Sequence, residues 1–270
     1  MTDATNETLL SEAIELALRA GAVILDYYAK ETTARAKADR SPVTDADEAA
    51  EAVIVPVLRT LLPGVPVIAE EAVARGGAPE ITGGRFWLVD PLDGTREFLN
   101  RNGEFTVNIA LVENSIPVLG VVHAPALDLT FAGRGPGTAV RKKSAAKFEP
   151  IVARLPPKDG VVVVASRSHG DPAALDKFLA GKKVAGMREA GSALKFGLVA
   201  SGDADLYPRF GRTMEWDTAA GHAVLLAAGG SMETLDGKPF LYGKPDFANP
   251  GFLAHGRASD NPRGRADPGR

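Results

Sequence analysis

Asp90 and Asp93 stand three residues apart in Asp90-Pro91-Leu92-Asp93-Gly94-Thr95. Carboxylates at that spacing can bracket a pair of hard cations, and the Leu92 carbonyl between them is an oxygen donor of the kind Mg²⁺ accepts. Gly94-Thr95 then opens a predicted helix, whose first free N–H groups would face a phosphate. Glu70 and Glu71 close the apolar run Val65-Pro66-Val67-Ile68-Ala69, and Asp217 follows Trp216 at the start of a small, apolar helical stretch. Asp is also an ordinary turn and capping residue. For the Asp90–Asp93 segment alone the two readings have equal weight, and the acids elsewhere tip it toward a shared, metal-dependent phosphate site.

Hydrolysis of a phosphate monoester is among the slowest reactions in water, so its catalyst must stabilise a great deal of charge. Two divalent cations roughly 3.5–4 Å apart can do so. Glu70, Asp90, Asp93, Asp217 and the Leu92 carbonyl supply enough ligands, once water and substrate complete the shells, for two or three Mg²⁺ per site. Thr95 is a candidate for positioning the attacking water, because a hydroxyl both donates and accepts. Asp47 would take its proton, and Glu70 belongs with both the catalytic and the ligand sets. Taken singly, Thr95 and Asp47 read better as a helix-start residue and a cap.

The remaining composition narrows the field. The 270 residues contain no cysteine, which excludes disulfides, thiolate zinc sites and cysteine nucleophiles. The four histidines lack metal-binding spacing, so any metal is held by oxygen. A formal charge of −3 argues against a nucleic-acid partner. There is no Gly-rich triphosphate loop, serine-hydrolase elbow or dinucleotide fingerprint. The polar, acidic N-terminus is unlike a signal peptide and no apolar run is long enough to span a bilayer, so a cytoplasmic protein is expected.

The elements that must position these residues follow from periodicity. Residues 8–28 read as an amphipathic helix. A second helix starts at Thr44-Asp45-Ala46-Asp47, whose spacing resembles a capping box, and Pro56 should kink or interrupt it. Strands are predicted at 65–69, 85–90, 105–112 and 118–123, the last two joined as a hairpin by Glu113-Asn114-Ser115. Residues 132–157 are weakly periodic, and a domain boundary is placed at 157. Residues 160–165 read as a buried strand, followed by a short helix at 175–179, a helix through Lys195, a strand near 204–209 and the Asp217 helix. The expected organisation is an α+β half at 1–157 carrying most metal ligands, an α/β half at 158–256, and a disordered tail at 257–270.

The acids in this order, with Trp216-Asp217-Thr218-Ala219-Ala220-Gly221, resemble the inositol monophosphatase superfamily of Mg²⁺-dependent, lithium-sensitive phosphatases. The resemblance implies an α/β fold, a layered α-β-α-β-α sandwich with two mixed sheets, monomeric or homodimeric. Ser41-Pro42-Val43-Thr44, residues 101–110, Ser166-Arg167-Ser168-His169, residues 191–196 and residues 206–211 resemble its 3'(2'),5'-bisphosphate nucleotidase branch. Such enzymes remove the 3'-phosphate of adenosine 3',5'-bisphosphate, a by-product of sulfate assimilation, to give AMP; the sulfated nucleotide is a further candidate substrate. By motif position, Glu70, Asp90, Leu92, Asp93 and Asp217 would hold metal while Gly94 and Thr95 cradle the scissile phosphate. The branch also implies peripheral association with the inner membrane's cytoplasmic face. Gly191-Ser192 opens another predicted helix, an anion site with Lys195 one turn on, and Arg209 could grip a second phosphate. A broader inositol or sugar monophosphatase is the alternative.

Overall fold

A computed structural model of the chain describes residues 3–30, 35–36, 42–81, 83–167 and 171–257. Helix α1 (Asp3–Tyr28) buries an apolar stripe that includes Ala13, Leu16, Ala17, Ala20 and Ile24. Strands β1 (Arg35–Ala36) and β2 (Pro42–Val43) form a short antiparallel pair. Helix α2 (Asp45–Leu61) begins at the predicted capping box: Thr44 Oγ1 accepts the Ala46 N–H, and the Asp47 carboxylate accepts the Thr44 N–H at 2.7 Å. Pro56 does not interrupt this helix, contrary to the sequence expectation. Pro56 and Ala52 are both exposed, so the carbonyl the proline leaves without a donor faces water.

The first large sheet contains β3 (Val67–Ala69), β4 (Arg85–Asp93), β5 (Thr106–Glu113), β6 (Ile116–Ala124), β7 (Leu129–Arg134), β8 (Val140–Lys143) and β9 (Glu149–Pro150), in that spatial order. Helix α3 (Glu70–Ala74) follows β3, and the one-turn α4 (Thr95–Leu99) follows β4. β3 and β4 run parallel and every later pair is antiparallel. The predicted β5–β6 hairpin is present. Asn114 and Ser115 both take positive φ, as a tight hairpin turn requires. The weakly periodic stretch past residue 132 holds β8, β9 and the end of β7. Its Arg141, Lys142 and Lys143 mask a strand signal because charge is how exposed sheet margins avoid further pairing.

The second sheet contains β10 (Val161–Ser166), β11 (Val184–Ala190), β12 (Leu206–Arg209), β14 (Ser231–Thr234) and β16 (Phe252–His255), in the order β11-β10-β12-β16-β14. It too is mixed: β10 is parallel to β11 and β12, while β16 is antiparallel to β12 and β14. β13 (Thr213–Met214) and β15 (Ala248–Asn249) make a separate pair. β10 was expected to be buried throughout, yet only Val163 and Val164 are. The neighbouring helix α5 (Pro172–Leu179) buries none of its own residues and so leaves that strand partly open.

Helices α1 and α2 cover one face of the first sheet, while α7 (Glu215–Ala227) packs against β4 to β7 on the other. Helix α6 (Leu194–Ala200) joins α7 and contacts β10, β12 and β16. The layering is therefore helix, sheet, helix, sheet, with α5 outermost: a mixed α/β fold with two mixed sheets. Strands of the first sheet all precede residue 157 and those of the second all follow it. One buried cluster nevertheless runs from Ile68, Phe86 and Leu88 to Val164, Phe196 and Phe252. The approach of α7 to the first sheet is close. A Cβ on Gly120 would collide with the Ala220 carbonyl, and one on Gly133 with the Ala227 side chain. Residues 258–270 lie outside the described residues, as do Ser41, Ser168 and His169.

Candidate active site

Strand β4 does not stop at Asp90 as its sequence suggested. Its pairing with β5 breaks between Asp90 and Asp93 and resumes at Asp93 opposite Thr106. The ladder irregularity holds Pro91 and Leu92, which no partner residue opposes, and Asp90 Oδ1 accepts the Leu92 N–H at 3.1 Å across it. Gly94 then takes φ +90 ahead of α4, a conformation a side chain would resist. The bulge and glycine turn the chain so that Asp90, Leu92, Asp93, Gly94 and Thr95 all face one cavity of about 240 Å³, with Glu70 from α3 and Asp217 from α7. The sequence-predicted acids do converge.

The acids crowd one another. Burial raises the Asp90 carboxyl far above its ordinary range, and Glu70, Asp93 and Asp217 push it further. Asp217 is raised by burial, then by Asp93 and Glu70. Burial lifts Asp93 to about 6, against the Lys195 ammonium and a hydrogen bond from Asn108. Asp90 and Glu70 are within hydrogen-bonding range of each other. Among the described residues, no three acidic, histidine or cysteine side chains stand close enough together to hold a metal ion between them. An open, all-oxygen donor set with repelling charges nevertheless fits Mg²⁺, which keeps several waters and needs few protein ligands.

Asp47 caps α2 and also lies within reach of Thr95. Its Oδ2 caps α2 through Thr44, whose hydroxyl donates at 2.6 Å, while its Oδ1 lies 3.3 Å from the Thr95 hydroxyl that donates to it. Asp217 combines roles in the same way, since its Oδ2 accepts the Met214 N–H at 2.7 Å at the start of α7.

The same cavity is lined by cations. Lys195 and Arg209 are 4% and 9% exposed, which excludes the solvated-surface reading of their charge. Burial lowers Lys195 to about 8, with Asp93 opposing the shift. Its ammonium donates to the Ser192 and Ala190 carbonyls at 2.6 and 3.2 Å. Arg212 lines the same cavity. A second hollow of about 380 Å³ adjoins this end, sharing Ser166 and Arg209 and lined by Pro172, Leu175, Met187, Pro208 and Phe210.

Two predicted substrate contacts are otherwise engaged here. The Gly191 N–H donates to Glu104 Oε2 at 2.8 Å, and the Ser192 hydroxyl donates to main-chain carbonyls. The Ala193 N–H bonds the Asp93 carboxylate. The anion site expected before α6 thus meets the protein's own carboxylates. α6 starts only at Leu194, and Ser192 has positive φ, so no helix opens at Gly191-Ser192.

Sequence reasoning passed over several residues. Asn108 Nδ2 and Thr106 Oγ1 donate to Asp93 Oδ2 at 3.2 and 3.4 Å. Polar residues two apart in the run Thr106-Val107-Asn108-Ile109 were the available signal, because they share one face of a strand. Asn249, which donates to Thr218 and Met214 beneath Asp217, offered no local signal.

Known proteins share this fold. The model of the inositol monophosphatase family matches residues 5–260. The chain belongs to that family. It is 46% identical to the 3'(2'),5'-bisphosphate nucleotidase CysQ of Escherichia coli strain K12, over 90% of this chain and 98% of that protein. The CysQ of Haemophilus influenzae is 32% identical, with 94% and 95% covered. The crystal structure of CysQ from Bacteroides thetaiotaomicron superposes with a TM-score of 0.77 at 36% identity, covering 93% of this chain and 98% of that one. An inositol monophosphatase from Thermotoga maritima reaches 0.73 at 27% identity, with 92% of each chain covered. The family is metal-dependent, and no helix among the described residues is long and apolar enough to cross a membrane.

Proposed function

We propose that this chain is a Mg²⁺-dependent 3'(2'),5'-bisphosphate nucleotidase that removes the 3'-phosphate of adenosine 3',5'-bisphosphate to give AMP. One observation carries the reading: the cleft that gathers the crowded carboxylates is also lined by the buried cations Lys195 and Arg209, positive charge beyond what one metal-held phosphate needs. The similarity to CysQ proteins supports it. The adjoining hollow, where Leu175, Met187, Pro208 and Phe210 lie beside the polar Arg167, Asp171 and Glu189, suits a nucleobase with its apolar faces and polar edge. In this role the protein works in the cytoplasm, where sulfate assimilation leaves the bisphosphate.

Glu70, Asp90, Asp93, Asp217 and the Leu92 carbonyl would hold two or three Mg²⁺. Bound there, the cations supply Lewis acidity and lower the pKa of a coordinated water. The chain supplies the rest. Thr95, hydrogen-bonded to Asp47, would orient a water through its hydroxyl and take that water's proton as it passes its own to the carboxylate. Glu70, at the edge of the acidic wall, is the second candidate to receive a proton. Lys195 and Arg209 place positive charge where the second phosphate would lie, and Arg209 offers a planar fork of donors.

The test compares kcat/KM under Mg²⁺ for adenosine 3',5'-bisphosphate and inositol 1-phosphate, by phosphate release. The bisphosphate should be preferred by at least about tenfold, as one charge-assisted hydrogen bond suffices to provide. Preference for inositol 1-phosphate would overturn the nucleotide assignment and leave a broader monophosphatase.

A further inference from the structure

We infer that Ser192 is a positioning residue for the metal-ligand loop, tying it to the cationic wall: its hydroxyl bridges the Asp93 and Glu104 carbonyls at 2.8 and 2.7 Å, and its own carbonyl receives the Lys195 ammonium at 2.6 Å. The inference rests on the reading of Asp93 as a metal ligand and deepens it.

The tie is needed because of where Asp93 sits. It lies just past the break in the β4–β5 ladder, at a single resumed pair with Thr106, and Gly94 beyond it has left-handed backbone. Strand pairing therefore restrains Asp93 weakly, and the turn from the other half of the molecule grips it instead. Ser192 holds its main chain while the Ala193 N–H holds its carboxylate. The fit is tight on both sides. A Cβ on Gly94 would collide with Ser192 Oγ, and one on Gly191 would lie 2.7 Å from the Glu104 carbonyl. Ser192 itself has φ +48, a backbone conformation that costs an L-residue energy and that glycine would adopt freely. A serine there keeps a hydroxyl that glycine lacks.

A hydroxyl has one proton, and here both near acceptors are protein carbonyls. The side chain is therefore poorly placed to donate to a substrate phosphate. Its effect on a bound nucleotide passes through Asp93 on one side and Lys195 on the other.

The experiment measures Mn²⁺ binding to the nucleotide-free protein by calorimetry or electron paramagnetic resonance, alongside KM and kcat at saturating metal. Ser192→Ala and Ser192→Gly should both weaken Mn²⁺ binding by about tenfold, the lower end of what lost support around a metal ligand costs. KM for the bisphosphate at saturating metal should stay within about twofold of the parent. The glycine variant suits the backbone, so it guards against a serine-to-alanine chain that folds poorly. Wild-type Mn²⁺ affinity in the glycine variant, with a raised KM, would overturn the proposal and make Ser192 a substrate contact. Asp93→Asn separates the two readings: unchanged Mn²⁺ binding in that variant would remove the metal assignment itself, and the tie with it.

Discussion

The acidic and cationic walls of the cleft face the same cavity but are built in opposite ways. Asp90, Leu92, Asp93, Gly94 and Thr95 come from one bulged strand end and the turn after it, while Glu70, Glu97 and Asp217 are brought by α3, α4 and α7. Of the cations lining the cavity, Arg96 comes from α4 beside the acids, while Lys195, Arg209 and Arg212 are collected from α6, β12 and the loop before β13. Their electrostatics differ as well. Carboxylates on the first wall are driven toward neutrality by burial and by each other, a state that waits for counter-charge. Lys195 is lowered by burial yet steadied by Asp93 and two carbonyls. The contrast teaches that the chemistry is encoded locally, whereas the selectivity is encoded by the packing of the second half.

That division can be broken in stages. The largest effect is expected from Asp93→Asn, which should lower kcat/KM for every phosphate ester by more than about 100-fold, beyond the range typical of groups that merely support a ligand. Phosphate release on both test substrates measures it, and a fall confined to the nucleotide would erase the contrast. Arg209→Ala should act on selectivity instead. Loss of a hydrogen bond to a charged group is worth about 1.5–3 kcal/mol, so KM for the bisphosphate should rise by about 10- to 100-fold. Hydrolysis of inositol 1-phosphate should be unchanged, and equal damage to both substrates would mean that Arg209 serves the chemistry.

The smallest effect calibrates the scaffold behind both walls. His123 on β6 is buried, with Nδ1 2.9 Å from Thr130 Oγ1, and burial lowers it to about 4 against the pull of Asp128. Below about pH 6.5 the unfolded chain binds a proton that the folded chain rejects. Stability is then intact above pH 6.5 and declines as pH falls toward 4, by about 2 kcal/mol at pH 5 from this residue. Thermal unfolding between pH 7.5 and 5 should show the decline, shallower in His123→Asn. Identical slopes would locate the acid sensitivity in other groups.

The same contrast explains what could be read from the chain alone. The Asp90-to-Thr95 segment was legible because its strand and turn are local, although the bulge that carries β4 on to Asp93 was not, and the Thr44–Asp47 cap because helix starts are written in four residues. Lys195 and Arg209 were chosen correctly as inward-facing, but the sequence could not show that Gly191 and Ala193 offer their N–H groups to Glu104 and Asp93. Those contacts join residues some ninety positions apart. Strands β8, β9, β11 and β14 escaped for related reasons, since charged or exposed positions broke their alternation, and the four-residue β16 was too short to show one. Pro56 misled because helix breaking depends on whether water can reach the abandoned carbonyl.

Helix α7 reaches β4 to β7 on one side and β14 on the other, and it carries Asp217 in its first turn. Nothing thicker than a methyl separates it from β6 and β7 along Gly120 and Gly133. Asp217 is therefore locked to the sheet that carries Asp90 and Asp93, and a slip of the second sheet leaves the three carboxylates in register. Arg209, carried on the second sheet, is the group such a slip would displace from them.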